Sequence, residues 1–243
     1  MTAWGEQFYG EVGEIIDDSG DIIGRTIYAG GDDFLSILYN PKFADIYRRS
    51  LSGQQIIEWL KNLRSHWETG KSEDINHNVT LSIGFVWAAP GVPQRDVLQH
   101  CREAEKRSKS LGRDRITIRV VFNSGQFVQW TCPWQCLELF EYYRDRDGGK
   151  NWSHIYGDLA HLKSRHVIPV SSREIPEDFI DDRMALKLYE LYFTHHNLHS
   201  DLHPHLAELS YYRNEIVGSD SSLELVRWIN NLITVGWHLC SDT

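Results

Sequence analysis

Residues 27–34, Ile27-Tyr28-Ala29-Gly30-Gly31-Asp32-Asp33-Phe34, decide how the chain folds. The segment before them, Asp21-Ile22-Ile23-Gly24-Arg25-Thr26-Ile27-Tyr28, is rich in β-branched and aromatic residues. Phe34-Leu35-Ser36-Ile37-Leu38-Tyr39 has the same character and stops at Asn40-Pro41. Two short strands joined by Gly-Gly-Asp-Asp predict a tight antiparallel hairpin. Gly30 and Gly31 permit positive φ and leave the backbone bare, so a phosphate can come close. Asp32 and Asp33 stand at the tip, where adjacent carboxylates repel unless a cation lies between them. Hard divalent ions such as Mg2+ or Mn2+ take oxygen ligands of this kind, bridged to substrate phosphates. The competing reading is an ordinary turn, because Gly and Asp dominate turns for conformational reasons alone.

The rest of the composition sets limits on what such a turn can serve. A chain of 243 residues with 41% hydrophobic side chains can build sizeable cores in one or two domains. The net charge of −9 makes the surface as a whole a poor partner for polyanions. A local exception runs from Arg102 to Arg119. There Arg102, Lys106, Arg107, Lys109, Arg113, Arg115 and Arg119 face only Glu103, Glu105 and Asp114. Cys101, Cys132, Cys136 and Cys240 lack zinc-finger spacing and are expected to be reduced and mostly buried. No signal-like start and no bilayer-length apolar run occur, so no membrane association is expected and the chain is placed in the cytoplasm.

In chain order, Trp4, Phe8, Val12, Ile15 and Ile16 fall at helical spacing and predict a first helix ending at Asp17-Asp18-Ser19-Gly20. The hairpin follows. A helical stretch opens at Pro41 and carries Phe43 to Leu63, with a break near Ser52-Gly53. Val79 to Trp87 is a strand in which Ser82 and Gly84 leave one face with little bulk. Gln94 to Leu111 is an amphipathic helix stopped by Gly112, and Arg115 to Phe122 and Gln126 to Trp130 are strands. From Pro133 onward the pattern is helical, with segments at 134–143, 152–162, 181–197 and 223–239. The boundary is placed near 129–133, dividing a domain of residues 1–130 from a helical domain of residues 131–243.

The order helix, strand, strand, helix, strand around Gly-Gly-Asp-Asp is most of a ferredoxin-like palm, an α+β sheet that carries metal-binding aspartates in many nucleotidyl transferases. The helix end Arg102 to Arg115 points the same way. Lys109 and Arg113 have the spacing at which GGDEF-type cyclases hold triphosphate oxygens, and arginine grips phosphate with two nitrogens. A solvated basic helix face is the alternative. Tyr-Ala-Gly-Gly-Asp-Asp, the strand with Ser82-Ile83-Gly84, the Lys109-to-Arg113 helix end and the trailing helices together resemble the large subunit of type III CRISPR effector complexes (Csm/Cmr).

That resemblance implies a palm that converts ATP into cyclic oligoadenylate when target RNA is bound, in antiviral defence. Asp32 and Asp33 would be the catalytic metal ligands; Gly30, Gly31, Lys109 and Arg113 would contact substrate. The implied partners are the other effector subunits and, through them, guide and target RNA. Diguanylate cyclases carry Arg two residues before the first Gly, where this chain has Tyr28. Two departures stand out: the palm's first strand, with its own aspartate, has no counterpart before the first helix, and no His-Asp dipeptide of a nuclease domain occurs. The site is therefore expected to be incomplete in this chain alone, with the strand supplied by a second polypeptide or lost from a longer parent. Two other readings stay open, a non-catalytic scaffold of the same complex and a diguanylate cyclase fragment. His195, His196, His199, His203 and His205 form a further cluster, read as polar surface rather than as a metal site.

Overall fold

The computed structural model describes residues 14–16, 20–30, 33–39, 51–69, 79–168, 182–193, 216–218 and 221–241. The chain divides into two compact units, Met1–Val79 and Thr80–Thr243.

The first unit contains a three-stranded antiparallel sheet in the order β1 (Glu14–Ile16), β2 (Ile22–Gly30), β3 (Asp33–Leu38). The β2–β3 hairpin is the one expected from the sequence. A bulge between Thr26 and Tyr28 shifts its register, which then runs Tyr28 opposite Leu35, Ala29 opposite Phe34 and Gly30 opposite Asp33. The expected helix over residues 4–16 is corrected at its end. Glu14–Ile16 form a strand, with Ile15 opposite Gly24, and residues 4–13 lie outside the described residues. Two adjacent β-branched side chains suit a pleated strand, and pairing with β2 supplies partners for their backbone groups. β3 is an edge of this sheet among the described residues. Helix α1 (Gly53–Thr69) begins where the sequence suggested a break. Ser52 and Gln55 cap it reciprocally: Ser52 Oγ accepts from the Gln55 amide at 3.2 Å, and Gln55 Oε1 accepts from the Ser52 amide at 3.0 Å. Ile56, Ile57, Leu60 and Leu63 are its buried stripe.

The second unit is built on β4 (Ile83–Ala88), β5 (Arg115–Val121) and β6 (Phe127–Pro133). β4 and β5 are parallel, joined through α2 (Gln94–Ser110), and β5 and β6 form a hairpin turned at Gly125. β5 is central, and all seven of its residues are buried. Its two faces differ in chemistry. Ile116, Ile118 and Val120 share a face with Trp130 of β6, which packs on Trp228 of α6 (Ser222–Cys240). Thr117 and Arg119 lie on the other face, under α2. There Ser108 Oγ meets Thr117 Oγ1 at 2.7 Å and Ile83 O at 2.8 Å, and Thr117 Oγ1 meets Thr131 Oγ1 at 2.9 Å. This chain of hydroxyls satisfies polar groups that would otherwise be stranded under the helix.

β6 runs through position 130 without interruption and leads into a 3-10 turn (Trp134–Glu138), α3 (Leu139–Tyr142), α4 (Ser153–Ser164) and α5 (Arg183–Phe193). Trp152, Tyr143, Phe140 and Phe193 form an aromatic cluster, with Tyr143 and Trp152 stacked at 4.3 Å. Tyr192 Oη donates to Asp158 Oδ2 at 2.7 Å and receives Arg146 Nε at 2.8 Å, tying α5 to α4. Cys132 and Cys136 are buried, Cys101 and Cys240 half-buried, and all are free thiols. Among the described residues no helix is long and apolar enough to cross a membrane.

His238 of α6 sits among aromatic rings, 4.8 Å from Phe122 and 4.7 Å from Trp237 between centroids. Burial holds its pKa below the ordinary histidine value of 6.5. A histidine kept neutral in the fold favours the unfolded chain once that chain begins to take up the proton. Stability should therefore fall as pH drops below 6.5, and less so in His238→Phe. Urea midpoints between pH 7.5 and pH 5.5 test this; equal losses in both proteins would contradict it.

Candidate functional site

The hairpin end is assembled by strand pairing. Gly30 and Asp33 form the last pair of the β2–β3 ladder, and the connecting residues Gly31 and Asp32 lie outside the described residues. Directly opposed residues in an antiparallel pair put their side chains on one face, as do residues two apart on a strand. Tyr28, Gly30, Asp33 and Leu35 therefore share a face, and Ala29 and Phe34 share the opposite one. Ala29 is buried, whereas Tyr28 and Asp33 are exposed. The carboxylate of Asp33 thus stands on the solvent side of the sheet, at the open end of the hairpin. An exposed oxygen donor opposite a residue without a side chain suits a hard cation that keeps part of its water shell and also contacts a phosphate.

Lys109 and Arg113 belong to the second unit. Lys109 is in the last turn of α2, exposed, with its ammonium 2.5 Å from Glu105 Oε1 one turn earlier. Exchange of this partner for a phosphate costs little, because a solvent-exposed pair is worth well under about 1 kcal/mol. Arg113 lies past the helix rather than on it. The Leu111 amide donates to Arg107 O at 3.1 Å and the Arg113 amide to Ser108 O at 3.2 Å, closing the helix around Gly112 at φ +115°. Arg113 and Asp114 follow in left-handed conformations at φ +61° and +48°. Asp114 Oδ1 accepts from the Leu81 amide at 3.4 Å, which ties this turn to the chain entering β4. The guanidinium of Arg113 remains exposed.

The basic stretch 102–119 is less of a surface patch than its charge suggests. Arg119, 4% exposed, donates to Glu103 Oε2 at 2.8 Å and to Gln129 Oε1 at 2.8 Å, and lies over the Phe127 ring at 4.1 Å. Its hydrogen bond is the main reason the Glu103 carboxyl is held below the usual range, with Gln99 adding to it. Arg115 is buried and donates to Ile216 O at 2.6 Å, and Arg107 Nε donates to Thr131 Oγ1 at 3.2 Å. Arg102, Lys106, Lys109 and Arg113 are the exposed cations of the stretch.

The histidines at 195–205 lie outside the described residues. A group not singled out from the sequence is Asp145, Asp147 and His154, whose ligand atoms lie within 4.8 Å of one another. Asp145 is buried, and His154 Nδ1, the Arg146 amide and the His154 amide all hydrogen-bond to its carboxylate. Asp147 Oδ1 accepts from the Gly149 amide at 2.8 Å. These contacts close the loop into α4. A ten-residue turn brings the three together, and no short motif in the sequence announces it.

Residues 5–117 match the family model described as Cas10/Cmr2, second palm domain. No curated protein matches the chain. The matched segment contains the hairpin, β4, α2 and the turn that carries Arg113.

Proposed function

The chain belongs, through residues 5–117, to the Cas10/Cmr2 family as the palm portion of a type III CRISPR effector large subunit, and from that premise we propose that its Gly-Gly-Asp-Asp turn joins ATP into cyclic oligoadenylate. The observation that carries the proposal is the hairpin end, where the exposed Asp33 pairs with Gly30 in the last rung of the ladder. Asp32 and Asp33 would hold the divalent cation, Mg2+ or Mn2+. When bound, that cation would neutralise charge at the α-phosphate and lower the pKa of the attacking ribose 3′-hydroxyl, whose oxygen forms the new bond to phosphorus as the α–β bond breaks and pyrophosphate leaves. Gly30 and Gly31 admit the phosphate to the backbone. Lys109 and Arg113 take the triphosphate oxygens, Lys109 leaving Glu105 to do so. The chain's own part is positioning and fixed charge, without a covalent enzyme intermediate. Residues 1–130 carry this palm and residues 131–243 serve as the helical domain that meets other effector subunits, which in turn bring guide and target RNA.

The committed arginines favour a second reading. With Arg107, Arg115 and Arg119 held by internal contacts, the same unit could serve the complex as a scaffold without chemistry. One assay separates the two. The reconstituted complex is incubated with target RNA, Mn2+ or Mg2+, and labelled ATP, with labelled GTP in parallel. Cyclic oligoadenylate is expected from ATP; no product from either nucleotide leaves the scaffold reading, and a cyclic dinucleotide from GTP would restore the diguanylate cyclase reading. Lys109→Ala and Arg113→Ala should each weaken ATP binding by about 1.5 kcal/mol, the lower end for hydrogen bonds to charged groups. Wild-type affinity in both variants would return these cations to an ordinary solvated surface.

A further inference from the structure

We propose that Asp114 is a positioning residue that holds Arg113 ready for a phosphate group, on a turn whose backbone is strained to present it; the inference rests on the nucleotide reading of the chain. The turn joins α2 to β5, with φ at +115° in Gly112, +61° in Arg113 and +48° in Asp114. Left-handed backbone suits glycine and is tolerated by Asn and Asp, whereas a longer L side chain there sets its Cβ against a carbonyl oxygen. Gly112 and Asp114 are therefore the residue types such a turn calls for. Arg113 is not, since Asn or Gly serves consecutive left-handed positions better. Strain of this kind persists only where the surroundings enforce it.

Here they enforce it from three sides. Upstream, the Arg113 amide donates to Ser108 O at 3.2 Å, and Ser108 is itself buried, with its hydroxyl on Ile83 O and Thr117 Oγ1. Downstream, Arg115 is buried and donates to Ile216 O at 2.6 Å. Between these anchors Asp114 Oδ1 accepts from the amide of buried Leu81 at 3.4 Å, which fastens the turn to the chain entering β4. Arg113 is exposed, and among the described residues its guanidinium has no partner. Its neighbours differ: Lys109 pairs with Glu105, and Arg107 donates to Thr131 Oγ1. An unpaired cation, kept on a backbone that another residue would occupy more comfortably, is the arrangement an anion contact requires. A guanidinium whose backbone is already fixed loses less freedom when it takes two phosphate oxygens.

The test measures ATP and inorganic tripolyphosphate binding to the full chain by calorimetry with Mn2+ present, and urea unfolding of the same variants. Arg113→Gly should weaken both ligands about tenfold while raising the urea midpoint, because glycine relieves the φ of +61°. An arginine kept for the fold would lower that midpoint instead. Asp114→Gly accepts its φ of +48° but drops the Leu81 contact, so it should weaken both ligands about threefold while the protein stays folded. Asp114→Asn keeps an oxygen for the Leu81 amide and tolerates the backbone, so it should bind both at least as tightly as the wild type. Wild-type affinity in Asp114→Gly, or an equal loss in Asp114→Asn, overturns the positioning role and leaves the phosphate contact of Arg113 intact. A lowered midpoint in Arg113→Gly overturns the strain argument. Wild-type affinity for both ligands in Arg113→Gly removes Arg113 from binding and this inference with it. A wild-type chain that binds neither ligand overturns the nucleotide reading as well.

Discussion

An Asp32→Asn, Asp33→Asn double variant, assembled into the complex, should form no detectable cyclic oligoadenylate while folding as the wild type does. Asparagine keeps the size of aspartate and most of its hydrogen bonding but carries no charge, and a hard divalent ion is held chiefly by carboxylate charge. Turns accept Asn as readily as Asp. Asp33 is exposed at the end of its strand, so the stability change should stay within about 0.5 kcal/mol. The loss of turnover should reach at least about 10³-fold, because loss of a single preorganised electrostatic contact already costs 10²–10³ in well-studied sites. Product at the wild-type rate from the double variant would remove these carboxylates from the chemistry.

The second large effect is on folding. Gly84 in β4 lies directly beneath α2: an added Cβ would stand 2.4 Å from the Glu105 amide nitrogen, 2.5 Å from Cys101 O and 2.9 Å from Ala104 Cβ. Two of these neighbours are helix backbone and cannot rotate away. Gly84→Ala must therefore lift α2 from the sheet, disturbing Ser108, whose hydroxyl reaches Ile83 O and Thr117. The expected cost is about 3 kcal/mol, at the upper end for overpacked cores. Gly157 in α4 is the control, since a Cβ there meets nothing within 4 Å. Gly157→Ala should stabilise by about 0.5–1 kcal/mol through helix propensity. Urea unfolding of both variants checks the pair. A Gly84→Ala midpoint equal to the wild type would mean that α2 and β4 are not in such close contact.

Gly84 also shows how far a sequence carries. Ser82 and Gly84 mark a strand face with little bulk, but only the packed structure identifies what approaches it, the backbone of α2 at Cys101–Glu105.

The elements legible in the sequence are those governed by local conformation. The β2–β3 hairpin follows from β-branched runs on either side of Gly30-Gly31-Asp32-Asp33, and α2 follows from its apolar spacing and from Gly112, whose φ of +115° suits glycine. The family could be inferred for the same reason, because its motifs lie on such local elements. What the tertiary structure alone decided depends on partners distant in the chain. Ile15 and Ile16 have helical spacing with Val12, Phe8 and Trp4, yet Glu14–Ile16 form a strand because β2 is there to pair with them. Arg115 and Arg119 count as surface charge until β5 is seen to be central, with both faces covered. One then finds Ile216 O, 101 residues away, and the other finds Gln129 on the neighbouring strand. Asp33 and Tyr28 reach the solvent face together through the bulge between Thr26 and Tyr28, which sets the register at the turn. Charge and spacing are properties of the sequence, but the face to which a side chain turns is set by pairing and burial, whose energies belong to contacts that the linear chain does not display.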